Sequence, residues 1–169
     1  VDFINGFIEV YGDPLAYKAS WESVVEIVDQ EAGERTRKLA GEALWFEQHA
    51  PIREEFKKQE VKGITARVMQ VAMLGGDCHP ATPIGINLPN AEWIRERYGS
   101  KSVTLDNITY AYDMAAKSSG MIDEFAGSDE EIRLAREWGT IGSNVHTDLH
   151  ECLGHGSGKM LPGVTTEAL

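Results

Sequence analysis

VKGITARVMQVAML, residues 61–74, carries β-branched residues in partial alternation, with Ile64, Ala66 and Val68 on one side. A period of two is what a strand with one buried face requires, so the stretch reads as a strand. It decides the fold class, because most of what surrounds it reads as helix. The following stretch, GGDCHPATPIGINLPN (75–90), holds three Gly and three Pro in sixteen residues. Proline lacks the amide proton that a helix interior needs, so this backbone is expected to be extended or looped.

Working outward toward the N-terminus, residues 3–11 read as a buried strand or short helix ending at the turn Asp13-Pro14. Ser20 is the expected N-cap of a long helix. Trp21, Val24, Val25, Val28, Ala32, Leu39, Ala43 and Phe46 recur mostly at three- and four-residue steps, with charges between them. Pro51 ends that helix and starts a short one carrying Ile52 and Phe56.

Toward the C-terminus, Asn90 is expected to cap a short helix that stops at Gly99, SVTL (102–105) is extended, and 107–119 form a helix ended by Gly120. Ser128 and Glu131 make an S-x-x-E capping box for a helix through Trp138. The pair Gly139 and Gly142 is expected to break it, with Asn144 capping a last helix. The sum is α+β with helix predominant.

A chain of 169 residues with 42% hydrophobic residues can form a domain with a real core. The net charge of −11 argues against a nucleic-acid-binding surface and against docking on anionic lipid. No apolar run approaches the roughly 20 residues of a membrane span. Two cysteines, Cys78 and Cys152, are too few for a disulfide framework. Reduced thiols imply a reducing compartment, and the cytoplasm is the expected location. The chain opens without an initiator Met in an apolar run and stops at TTEAL, so it reads as an internal piece of a longer protein, and export stays open.

The densest chemistry lies in HTDLHECLGHGSGK, residues 146–159. His150-Glu151 followed by His155 supplies two imidazoles and a carboxylate. A zinc site uses such donors, and a glutamate beside a ligand histidine can take the proton of an attacking water. The spacing is the difficulty. At about 100° per residue, side chains five apart diverge by roughly 140° on a regular α-helix. A local π-bulge absorbs one residue and brings them to one face, and Gly154 removes a side chain where the backbone must deform. Two other readings stand beside this one. His146 and His150 have the four-residue spacing of an undistorted helix, but Thr147 stands where the base should be. The three histidines also fit a polar helix face that binds nothing. HGSGK is not a phosphate-binding loop, because Leu153 and Met160 occupy positions that need Gly and Ser or Thr. Cys152 reads as a core-facing thiol and not a nucleophile.

HECLGHGSGK resembles the zinc motif of the dipeptidyl-peptidase III family, H-E-x-x-G-H followed by G-S-G-K. GFIEVYGDP (6–14) is similar to that family's G-F-I-E-x-Y-x-D-P segment, and PIGINLPN (83–90) to its G-I-N-x-P-N segment. The three occur in the family's order, and Cys152 is similar to the bacterial branch. The resemblance implies a zinc exopeptidase that removes dipeptides from the N-termini of short peptides. It makes His150 and His155 zinc ligands and Glu151 the general base. It also implies a two-lobed enzyme of which this chain is an incomplete piece. Residues 1–19 and 59–106 would contribute to a β-containing, substrate-binding lobe, and residues 20–58 and 107–169 to a helical zinc lobe. PIGIN would be a strand edge that the peptide joins, with Gly85 keeping the approach open. Asn87 and Asn90 would hold the substrate's amino terminus. On the residues alone, Gly85 is equally a turn glycine and Asn90 a helix cap.

The departures carry expectations of their own. The family's third zinc ligand is a glutamate in a downstream E-E-x-R-A-E/D motif, so the remainder of the parent chain is expected to supply it. Glu167, in TTEAL, lacks the neighbouring acid and Arg. The segment alone is therefore expected to bind zinc weakly and to be inactive. Asp2 stands where the family has an acid that contacts substrate, but Ile4 replaces the accompanying tyrosine. The basic residues that the family uses nearer its C-terminus are absent. A different class of function, a non-catalytic peptide-binding module without functional metal, keeps the strand edge and makes no use of Glu151.

Overall fold

A computed structural model describes residues 1–7, 21–61, 65–79, 82–89 and 92–164. Strands β1 (Asp2–Phe7), β2 (Trp21–Val28), β3 (Thr65–Gly76), β4 (Gly85–Leu88) and β5 (Lys101–Leu105) form one mixed sheet in the order β1-β2-β3-β5-β4. β3 pairs antiparallel with β2 and parallel with β5, while β1 and β4 add antiparallel at the two edges. From Thr65 on, the strand expected over 61–74 is thus the middle of the sheet, while Ile64 lies outside the described residues. The Gly- and Pro-rich stretch after that strand contains the edge strand β4.

The sheet curls. Lys101 Nζ on β5 lies 2.6 Å from Asp2 Oδ2 on β1, although β2 and β3 stand between these strands. Three strand spacings in a flat sheet would separate them by about 14 Å. A β-bulge contributes to the bend: Val25 pairs with Met73 but Glu26 with Val71, leaving Ala72 as the extra residue. Ile4, Val24, Met69, Ile86, Val103 and Leu105, drawn from all five strands, join Cys78 in one buried cluster on the concave side. Each fully buried Val, Leu or Met there contributes about 1.5–3 kcal/mol.

Alternate residues on the other side face helices. These are α1 (Gly33–Gly41), α2 (Ala43–His49), α3 (Glu92–Tyr98), α4 (Asp106–Ser118), α5 (Met121–Phe125) and α6 (Asp129–Leu149), with a 3-10 turn at Glu54–Phe56. Ala66 of β3 packs with Ala43, Cys152 and Leu153 in a second buried cluster. Ser128 caps the helix as expected, its Oγ accepting the Glu131 N–H, while Glu131 Oε2 reaches one residue past the cap and accepts the Gly127 N–H at 2.7 Å. Among the described residues no helix is long and apolar enough to cross a membrane.

Two expectations are corrected. The expected cap Ser20 lies outside the described residues, and from Trp21 the expected long helix is instead β2 followed by α1 and α2, so residues 21–28, assigned to the helical portion, stand in the sheet. Glu22, Val24 and Glu26 are the inward residues of β2. Two of these three are acids, which a pattern reading counts as solvent-facing, and this hides the period of two. The Asp29 carboxylate accepts the Ala32 N–H at 3.0 Å in the turn that leads into α1. The second correction concerns Gly139 and Gly142, which do not break α6; it runs unbroken to Leu149, and Asn144 is interior to it. A mid-helix glycine costs only about 1 kcal/mol, which a helix of this length absorbs.

Glu26 is fully buried, and neither carboxylate oxygen has a hydrogen-bond partner among the described residues. Burial pushes its carboxyl up to about 7, against the opposing pull of Lys101 and Arg67. The folded state therefore holds this proton more tightly than the unfolded state. Its stabilising effect is complete below the usual carboxylate range and is lost as pH rises through about 7. Urea unfolding at about pH 5 and about pH 8 should show lower stability at the higher value, and Glu26→Gln should flatten that difference.

Candidate metal centre

α6 is regular to Leu149, and the backbone then widens into a π turn over His150–Gly154. The His155 N–H donates to the His150 carbonyl, five residues back, at 3.1 Å. In a continuing α-helix it would have bonded the Glu151 carbonyl. The extra residue brings the two imidazoles together, with ring centroids 4.7 Å apart and planes at 86°. One ligand atom from each of His150, Glu151 and His155 lies within 4.8 Å of the others. His155 Nε2 is 4.0 Å from Glu151 Oε2. His146 is exposed and lies outside this group, so the widened turn, and not the four-residue pair, gathers the donors.

Widening a turn releases a carbonyl, and a buried carbonyl needs a donor. The sheet provides two. Ser102 Oγ on β5 donates to Glu151 O at 2.6 Å, and Asn87 Nδ2 on β4 donates to it at 3.0 Å. Asn87 Nδ2 also donates to Ser102 Oγ at 2.7 Å, linking the two. Beneath the same residue, Gly85 lies so close that a Cβ there would be 2.6 Å from Glu151 Cδ. A side chain at 85 would occupy the space that the Glu151 carboxylate fills. The missing Cβ makes room for the acid of this chain.

His155 is held below the ordinary histidine range, first by burial and then by the nearby His150 and Arg95. A neutral imidazole is the form that ligates a metal. Two imidazoles and a carboxylate suit zinc or a related borderline cation better than calcium or magnesium, which take oxygen ligands. Cys152 sits within the turn but faces the core, fully buried. Burial, with Asp148 and Glu151 nearby, pushes its thiol up to about 12, which disfavours the thiolate, and it stands outside the group of gathered donors. Both cysteines are free thiols. A cavity of 280 Å³ adjoins the site, with Arg95, His155 and Lys159 among its walls.

The remaining expected contacts are dispersed. Asn87 is turned inward onto the wide turn, and its Oδ1 is buried without a hydrogen-bond partner among the described residues. Asp2 is tied to Lys101 at 2.6 Å and Arg67 at 3.4 Å, and the Lys101 ammonium holds its carboxyl below the usual range. Asn90 lies outside the described residues. Sequence reasoning missed Ser102, whose alternation with Val103 in KSVTL was visible as a strand signal. Nothing local indicates that its hydroxyl meets a residue 49 positions away.

The sequence pattern described as Peptidase family M49 matches residues 1–168. The chain is 32% identical over 163 residues to dipeptidyl peptidase 3 of Dictyostelium discoideum, covering 96% of this chain and 22% of that protein. It is 30% identical over 161 residues to dipeptidyl peptidase 3 of Homo sapiens, covering 95% of this chain and 21% of that protein. Among solved structures it is similar to DPP III from Caldithrix abyssi, with a TM-score of 0.73 and 30% identity, over 96% of this chain and 31% of that one. The chain thus spans about a fifth of the length of the curated relatives it matches.

Ser102→Ala removes one of the two donors to the Glu151 carbonyl and leaves Asn87 in place. The expected loss is about 0.5–1.5 kcal/mol in denaturant unfolding. Asn87→Ala with Ser102→Ala should cost more than the sum of the two single changes, because the carbonyl is then buried without a donor.

Proposed function

The chain belongs to peptidase family M49, and from that membership we propose that these residues are a segment of a zinc peptidase that removes dipeptides from the N-termini of short peptides. The observation that carries the reading is the π turn, which collects His150, Glu151 and His155 within 4.8 Å. His150 and His155 are the ligands and Glu151 the base. The remainder of the parent chain supplies the third protein ligand, and the segment by itself is inactive. Zinc held there supplies a Lewis acid that lowers the pKa of its water and polarises the scissile carbonyl. Glu151, buried and fixed through its own backbone carbonyl, takes the proton of the attacking water and returns it to the leaving amine. Keeping this acid at one place matters, since a 1 Å displacement of a reacting group can cost about 10²-fold in rate.

The peptide joins β4, and two findings support this. β4 is the last strand in the sheet order, so one of its edges has no strand beside it among the described residues. Its Gly85 lies against Glu151, so a peptide running along β4 passes the base. Asn90 holds the substrate's amino terminus, with Asp2 contributing negative charge, while the inward-turned Asn87 supports the strand from behind through the Glu151 carbonyl. The distance from that anchor to the zinc then sets the two-residue product. The relatives bearing the name dipeptidyl peptidase 3 support the same substrate class. The two-lobed arrangement of the whole protein belongs to this proposal, with residues 21–28 moved to the β-containing portion.

In the full-length protein, Glu151→Gln should lower turnover of dipeptidyl substrates by about 10²–10⁴-fold while zinc content stays at the wild-type level. His150→Ala and His155→Ala should each lose the metal, and His146→Ala should keep it. Loss of zinc in His146→Ala with retention in His155→Ala would sink the assignment. A non-catalytic peptide-binding module would instead show no metal and a peptide affinity indifferent to Glu151. Gly85→Ala should leave zinc bound but lower kcat by about 10²-fold, because the new methyl pushes the Glu151 carboxylate aside.

A further inference from the structure

The two ends of the wide turn are each tied down by a buried carboxylate that is not one of the metal donors. Asp148, fully buried, precedes the turn. It accepts the Arg35 Nε–H of α1 at 2.5 Å and the Thr104 hydroxyl of β5 at 3.0 Å. Glu47 of α2, 1% exposed, holds the other end. It accepts the Gly158 N–H at 3.0 Å on both oxygens and the Lys58 N–H at 2.6 Å. The same loop is fastened twice more: Lys58 Nζ donates to Gly156 O at 2.9 Å, and the Lys159 N–H to Phe56 O at 2.9 Å. Gly158 has a φ of 71°, a left-handed conformation that lets its N–H point at the carboxylate.

A π turn is rare because its geometry is less favourable than that of an α turn. Left to itself, this segment gains by relaxing to a regular α-helix, which would carry His155 roughly 140° away from His150. That relaxation removes one residue's worth of underwinding, so it must rotate and shift one end of the turn relative to the other. Asp148 fixes the incoming end against β5 and α1, and Glu47 fixes the outgoing end against α2. Resting on the metal-site reading above, we propose that Asp148 and Glu47 are positioning residues of the histidine pair, which hold the span of the wide turn so that His150 and His155 face each other before a metal arrives.

A merely structural role and this one separate in experiment. In the full-length protein stripped of metal, the His155 amide reports directly on the π bond to His150. Asp148→Asn and Glu47→Gln should each speed its hydrogen exchange by about tenfold or more, with the amides paired between β2 and β3 unchanged. Each variant should weaken zinc binding, measured by chelator competition, by about 10- to 100-fold. The visible spectrum of the Co(II)-substituted protein should change in band position as the histidines lose their fixed angle. Arg35→Lys and Thr104→Val, each removing a single bond to Asp148, carry the same test if Asp148→Asn does not fold; both should weaken zinc binding by smaller factors. Wild-type zinc affinity, cobalt spectrum and His155 exchange in folded variants, even with a lowered Tm, would overturn the proposal. A wild-type protein that takes up no zinc overturns the functional reading itself, a result visible before any variant is made.

Discussion

The Glu151 carbonyl, released by the π turn and accepted by Ser102 and Asn87, is the interaction on which the site depends. It joins a local irregularity to the sheet. A helix that widens by one residue gives up a backbone bond, and in a buried place that loss is tolerated only where other donors replace it. β4 and β5 bring those donors to the helix-facing side. The same two strands place Gly85 under the Glu151 side chain. One short antiparallel pair thus holds the backbone of the acid and shapes the space for its carboxylate.

The division of labour between the two faces of the sheet follows from the curl. Aliphatic residues from all five strands fill the concave side, and the charges that share it sit with Asp2, Arg67 and Lys101. Two acids of β2, Glu22 and Glu26, also face this side; Glu26 is fully buried, and the loss of solvent around its charged form pushes its carboxyl up to about 7. On the opposite side, polar residues of β5 alternate with the aliphatic ones and are consumed in holding α6 and the turn. Thr104 reaches Asp148 and Ser102 reaches Glu151. The strand KSVTL therefore has two buried faces, one apolar and one hydrogen-bonded.

Several elements were legible because their signals are local. Val68 and Ala66 alternate with polar neighbours in β3, and Ser128 and Glu131 announce the start of α6 three residues apart. β2 was not legible, because Glu22 and Glu26 occupy its inward positions and reverse the pattern that marks a buried face. Gly139 and Gly142 misled for the opposite reason. Their cost is small and local, while the length of α6 spreads it over a cooperative helix. The resemblance gives Asn87 a substrate-holding role, but its inward turn onto Glu151 depends on a residue 64 positions away.

By itself the sequence determined that a helical His150–His155 pair needs a wide turn, while it left open a regular His146–His150 pair and a polar face that binds nothing. The five-residue separation of His150 and His155 and the fixed angle per residue of a helix allow no other way to put both imidazoles on one side. It also determined which acid stands beside them, since Glu151 is covalently next to His150. Only the tertiary structure decided that the turn is held, and by what. Ser102, Asn87, Asp148 and Glu47 act through bonds that reach as far as 113 positions along the chain. Such bonds exist only once the curled sheet and α1 and α2 have been brought against the end of α6. Helical spacing is a property of neighbouring peptide units, whereas the satisfaction of a released carbonyl is a property of whatever the fold packs against it.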